Sequence, residues 1–182
     1  MLAEAQSAMD SANPDRGLLD QFRNGDRDAF TALYRLHHSA VFRFGLNMSG
    51  DAAAAAEITQ DVFVWLIRHP GKFDPDRADL GTFLAGVARK LLQRRRRLAF
   101  RWLPLRKTAA PDPGDAIDAA SLHRAVGLLP SRYREAIVLC DLEGRSYEEA
   151  SAVVGCAVGT IRSRLHRGRD LLARKFRTRS HP

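Results

Sequence analysis

The sequence predicts an all-α protein of two small helical domains joined by a flexible linker. Three observations predict it. Apolar residues recur at spacings of three and four through most of the chain, with no strand-like alternation and no internal repeat. Capping residues and glycine stops punctuate that pattern. Residues 103–118, LPLRKTAAPDPGDAID, carry three prolines and no helical periodicity, so they divide the chain. The halves this defines are 13–100 and 119–176, with a disordered tail at 1–12, a linker at 101–118 and a short tail at 177–182. With such a linker the two halves need hold no fixed mutual orientation.

In the first half, Asn13-Pro14 reads as a helix start, with asparagine as cap and proline at the first helical position. Leu18, Leu19 and Phe22 form a short stripe that Gly25 ends. Asp26 or Asp28 caps the next helix, where Phe30, Leu33, Tyr34, His37 and Val41 repeat. His37 and His38 are adjacent, point to different faces and make no metal pair. After the turn Ser49-Gly50-Asp51 comes an alanine-rich helix with Ile58, Val62, Trp65 and Leu66 inward. Glu57, Gln60 and Asp61 lie elsewhere on its surface. His69 to Asp76 holds two prolines and a glycine and is a loop, with Phe73 its one large apolar residue. Asp79 is placed to cap a helix running to about Phe100. Leu80, Phe83, Leu84, Val87, Leu91 and Leu92 face inward, and Arg94 to Arg97 close it. Cations at a helix C-terminus suit the macrodipole, but four arginines exceed what a cap needs.

In the second half, Leu122, Val126 and Leu129 lead to Pro130. Ser131 is read as the cap of a helix with Ile137, Val138 and Leu142 inward. Then follows Gly144 to Leu172, GRSYEEASAVVGCAVGTIRSRLHRGRDLL, which reads as two helices and a tight turn. Ser146 and Glu149 have capping-box spacing. Ala150, Val153 and Val154 form a stripe, and Gly155 stands where a left-handed residue ends a helix. On the second helix Ile161, Leu165, Gly168 and Leu172 share one face. The opposite face carries Gly159, Thr160, Ser163, His166 and Arg167, flanked by Arg162 and Arg164. Such a face suits the major groove: small residues permit close approach, arginine pairs bidentately with guanine, and hydroxyls reach phosphates or bases.

Charge distribution supports a polyanionic partner. The net charge is +8. Residues 89–107 hold nine Lys/Arg and no acid, and residues 158–182 hold eight against one acid, Asp170. Two basic blocks on an otherwise acidic chain predict two contacts with nucleic acid. Neither block has the exposed apolar face of an interfacial helix, and no 18-residue apolar run predicts a membrane span. The N-terminus has no basic start followed by an apolar block, so a cytoplasmic protein is expected. Cys140 and Cys156 are isolated and read as reduced packing residues. Paired carboxylates near histidine, a glycine-rich phosphate loop and metal-ligand spacing are all missing. No catalytic residue, metal or other cofactor is expected, and the protein is read as no enzyme.

The ordered pair of basic helical halves resembles the extracytoplasmic-function (group 4) sigma factors of bacterial RNA polymerase. Leu129-Pro130, GRSYEEASAVVGC and GTIRSRLHRGRDLL resemble sigma region 4. DAFTALY (28–34), AEITQDVF (56–63) and FLAGVARKLLQRRRR (83–97) resemble region 2. Phe83 stands where tryptophan is common, Lys90 where asparagine is, and Ala157 where proline is; Ala56 precedes Glu57 where two acids are often adjacent. The resemblance implies that Glu57, Gln60 and Asp61 dock on core RNA polymerase. It implies that Lys72, Phe73, Arg89, Lys90, Arg94, Arg95, Arg96 and Arg97 hold the single strand of a melted −10 element. Thr160, Arg162, Ser163, Arg164, His166, Arg167 and Arg169 then read the −35 element of promoter DNA. It also implies an inhibiting partner, an anti-sigma factor. The alternative is a free-standing helix-turn-helix transcriptional regulator.

Overall fold

The structure, a computed structural model, describes residues 14–102 and 119–177. Within them it is all-α. Four helices form the first half: α1 (Pro14–Arg23), α2 (Arg27–Ser49), α3 (Ala52–Arg68) and α4 (Leu80–Trp102). Four form the second: α5 (Ala119–Gly127), α6 (Ser131–Ile137), α7 (Tyr147–Val154) and α8 (Val158–Arg177). The expected tail at 1–12 and linker segment 103–118 lie outside the described residues, as do Asn13 and most of the C-terminal tail.

The caps explain the boundaries. Asp26 accepts from the amides of Asp28 and Ala29, which settles the choice between Asp26 and Asp28. Gly50 ends α2 in the left-handed region at φ 72°, and Asp51 caps α3. Asp79 Oδ1 accepts from the amide of Thr82 at 2.8 Å and starts α4. Ser131 departs from expectation. It is the first residue of α6, Pro130 precedes it, and no side chain caps the helix. The hydroxyl instead accepts from Arg96. α6 also widens into a π-turn over Val138–Leu142 before Gly144 breaks it at φ 66°.

The first core holds Leu19, Leu33, Phe44, Ile58, Val62, Leu66, Leu80 and Leu84, all nearly inaccessible. The second holds Val126, Ile137, Leu139, Ala150, Val153, Ile161 and Leu165. Gly168 lets α8 press on α6: a Cβ there would lie 2.9 Å from Ile137 Cγ1, closer than such atoms pack.

The two halves pack together. α4 lies against α7, and α2 against the π-turn and α5. The buried apolar residues of both form one continuous cluster. Polar groups stitch the seam: Asn47 donates to Glu143 at 2.7 Å, and Arg145 donates to the Thr82 hydroxyl at 3.0 Å. Arg134 is buried and donates to the carbonyls of Gly127 and Leu129 in its own half and of Met48 across the seam. Burial, with the nearby charge of Arg96, pushes its pKa down to about 10, so it stays charged at neutral pH.

Candidate nucleic-acid interface

The helix-turn-helix forms as its sequence requires. Ser146 Oγ accepts from the Glu149 amide at 3.1 Å, and the Glu149 carboxylate accepts from the Ser146 amide at 2.7 Å. Both halves of the capping box are therefore made. Gly155 takes φ 73° and ψ 46° and turns the chain into α8. Ile161, Leu165 and Gly168 are buried, so Arg162, Ser163, His166, Arg167 and Arg169 are exposed, with Thr160 and Arg164 half-buried.

Neighbouring residues hold these side chains. The Arg162 guanidinium lies over the Tyr147 ring, 5.5 Å from its centroid. Arg169 is fixed by Asp141 through two contacts of 3.1 and 2.6 Å, which raise its pKa. A hydrogen bond from Arg167 lowers the pKa of the Tyr133 hydroxyl, against the opposing effect of burial. His166 sits 3.3 Å from Asp170, and the Ser163 hydroxyl donates to the Thr160 carbonyl. Arg164 approaches the Cys156 sulfur at 3.9 Å. Among the described residues Cys140 and Cys156 are free; burial raises the Cys140 thiol, which suits a packing role.

On α4 the arginines are divided among different partners. Arg89, Gln93 and Arg96 recur at spacings of four and three and form one stripe. That stripe meets α6: Arg89 Nε lies 3.1 Å from Glu135 Oε2, and Gln93 donates to Glu135 Oε1 at 3.0 Å. The Arg89 contact has ion-pair distance but not hydrogen-bond alignment. Arg95 turns the other way, onto α3, where it pairs with Glu57 and, at 3.1 Å, with Asp61. The acids expected to meet polymerase and one arginine expected to meet DNA are thus joined. Lys90, Arg94 and Arg97 are exposed. Gln60 is exposed beside an apolar groove lined by Tyr34, Phe63 and Ile67.

One expectation needs correcting. Phe73 is not available to stack on a base: it is 3% exposed and packs edge-on to Phe83, 5.1 Å between centroids. It anchors the loop to the core because the loop has no other large apolar residue. Lys72, next to it, is exposed. Sequence reasoning missed Arg134, Glu135, Asp141 and Tyr147. A charged pair on a helix reads as surface, and only the near-continuous burial from Tyr133 to Leu139 reveals otherwise.

Among the described residues no helix is long and apolar enough to cross a membrane, and no cluster of three metal-binding side chains occurs.

Comparison with known proteins finds a match in each half. The family models "Sigma-70 region 2" and "Sigma-70, region 4" match residues 33–101 and 119–172. The chain is 35% identical to an ECF RNA polymerase sigma factor, SigE of Mycolicibacterium smegmatis, over 81% of its own length and 63% of that protein's. It is 33% identical to RNA polymerase sigma factor CarQ of Myxococcus xanthus, over 85% of its length and 92% of that protein's. The fold superposes on the sigma factor RpoE of Bartonella quintana, solved with the anti-sigma factor NepR. The TM-score is 0.67 at 26% identity, over 81% of this chain and 96% of that one. CnrH, solved with the cytosolic domain of CnrY, gives 0.69 at 26% identity, covering 90% and 97%. A free-standing regulator needs only the second matched segment, and the chain carries both. It belongs to the sigma-70 family, in the extracytoplasmic-function group of RNA polymerase sigma factors.

Proposed function

We propose that the protein is a non-catalytic promoter-specificity subunit that works in the cytoplasm. It binds core RNA polymerase through α3, around Glu57, Gln60 and Asp61. It reads a −35 element with α8 and holds the melted −10 strand on α4. One observation carries this reading above the rest: a capped helix-turn-helix presents Arg162, Ser163 and Arg167 together on the solvent face of α8. In this geometry the N-terminal part of the recognition helix meets base edges. Arg162, Ser163 and Arg167 are assigned to bases, and Arg164 and Arg169 to phosphates. Single-strand binding fits α4 because cationic faces track phosphate backbones, and an unstacking cost of about a few kcal/mol is offset by such contacts. The proposed boundaries are 13–100 for the polymerase and −10 half and 119–176 for the −35 half.

An anti-sigma factor is the proposed regulator. RpoE and CnrH were each solved with another protein bound, and RpoE's partner is an anti-sigma factor. Linking two modest contacts through one chain makes such a clamp stronger than either contact alone.

Run-off transcription with purified core polymerase on a random promoter library tests the function. Enriched templates sharing two short elements at fixed spacing are the expected result. Failure to co-purify with core polymerase in the absence of DNA removes the reading in favour of a free-standing regulator.

A further inference from the structure

The recognition helix has a cationic neighbour outside the helix-turn-helix. Gly168 brings the backbone of α6 against α8: a Cβ at Gly168 would lie 3.4 Å from the Tyr133 carbonyl oxygen. Arg167, next to Gly168 in the chain, therefore emerges beside the start of α6. Arg132 and Arg134 stand there two residues apart, a spacing that sends side chains to different faces of a helix. Arg134 turns inward, to the carbonyls of Met48 and Leu129. Arg132 is exposed, and its guanidinium lies over the Tyr133 ring, 4.7 Å from the centroid. Tyr133 is only 8% exposed, so its ring is a fixed platform. Arg167 and, less strongly, Arg132 lower the pKa of the Tyr133 hydroxyl, as two guanidiniums converging on one phenol oxygen must.

Among the described residues neither Arg132 nor Arg167 has a carboxylate partner, whereas Arg169 on the same α8 is held by Asp141 through two contacts. Like charges brought together without an acid are stabilised by an outside anion. The major groove is about 12 Å wide and its walls are phosphates. With Arg167 among base edges, a cation to one side of it on a neighbouring helix falls at such a wall.

We propose that α6 is part of the duplex interface: Arg132 contacts a backbone phosphate flanking the base that Arg167 reads, and Tyr133 is the positioning residue that holds the two guanidiniums side by side. This rests on the −35 role assigned to α8 and extends that face to a helix outside the helix-turn-helix.

The test measures anisotropy of the full-length chain over a salt series. One labelled duplex bears the −35 element enriched by the run-off selection, and the other is a scrambled duplex of the same length. Arg132→Ala should weaken binding to both on the order of tenfold at about 0.1 M salt and reduce the slope of log K against log salt by about 0.9, the value for one neutralised phosphate. Its preference for the element should match wild type. Tyr133→Phe keeps the ring and its packing but removes the hydroxyl. It should relax preference at the same position as Arg167→Ala, and the double variant should relax that position no further than Arg167→Ala alone. Arg35→Ala, an equal loss of exposed charge on α2, should leave the slope unchanged.

If Arg167→Ala relaxes preference but Arg132→Ala leaves the slope unchanged, the proposal is overturned and the reading of α8 stands. An equal fall of the slope in Arg35→Ala also overturns it, because net charge then accounts for the effect. Weakening confined to the enriched duplex does so as well, since a phosphate contact carries no sequence information. Wild-type preference in Tyr133→Phe overturns the positioning role. Wild-type preference in Arg167→Ala removes the reading of α8, and the proposal with it.

Discussion

Helices α4 and α8 are both apolar on one side and arginine-rich on the other, yet their cations are held differently. On α8 they are anchored by residues of the same half, Tyr147, Tyr133 and Asp141, and stay on the solvent face. On α4, Arg89 and Arg96 meet the opposite half and Arg95 meets α3. Charge count alone does not separate the two helices. The partner does: on α8 each partner belongs to the same half, whereas on α4 Arg89 and Arg96 meet the other half.

The largest effect expected is at the seam. Arg134→Ala leaves the carbonyls of Met48, Gly127 and Leu129 without their donor, and buried groups left unpaired cost about 1–3 kcal/mol each. Urea unfolding should show a loss of at least about 3 kcal/mol. A loss below about 1 kcal/mol means water replaces the guanidinium and the seam is wetter than described.

Next comes the contrast itself. Arg167→Ala should cost about 1–3 kcal/mol in duplex binding and relax preference at one −35 position. Arg169→Ala should weaken binding evenly and lower the salt slope by about 1. Competition binding against duplex variants separates them, and an unchanged preference in Arg167→Ala misplaces the reading face.

On α3, Asp61→Arg should preserve the helical circular-dichroism spectrum and lower affinity for core polymerase. The Arg95 pair it breaks is half-exposed, and such pairs contribute only about 0–1 kcal/mol. Unaltered core binding removes Asp61 from the polymerase face.

The smallest effect is a pH dependence. Burial raises the Asp79 carboxyl, but hydrogen bonds from Thr82 and the charge of Arg145 outweigh it and hold the pKa below 3.8. The folded form thus prefers the ionised cap. Its contribution is complete above 3.8 and is lost as pH falls through the lower folded value. Asp79→Asn keeps a cap but should flatten this acid limb of a stability profile; an identical limb in both proteins assigns it to other carboxylates.

The local devices were legible in the sequence because their partners lie within a few residues. Ser146 with Glu149, Gly155, Asp79, and the Ile161–Leu165–Gly168 face are all readable at spacings of three to seven. What was not legible depends on residues far apart in the chain. Glu135 is buried only because α4 supplies Arg89 and Gln93, more than forty positions earlier. Ser131 looks like a cap until Arg96 takes its hydroxyl. Phe73 reads only as the loop's one large apolar residue, and its burial shows once Phe83 and the core close over it. Arg95 belongs to a run of four arginines, and nothing local says that it alone turns toward Glu57 and Asp61. Periodicity assigns faces, but it does not say which protein surface will cover them.

The closed seam also sets a length. Promoter elements at −35 and −10 are separated by about 25 base pairs, or about 85 Å along B-DNA. A compact body of the size of both halves together is about 40 Å across, so the closed chain spans less than half that distance. Once apart, the halves have radii of about 15 and 13 Å. Residues 103–118 between them reach at most about 55 Å when fully extended. Measured from the centre of each half, the sum is about 83 Å, close to the span. The length of the segment joining the halves is then what lets both elements be met at once. Removing four residues from it should silence the promoter while leaving each half able to bind its own element, and adding four should be tolerated.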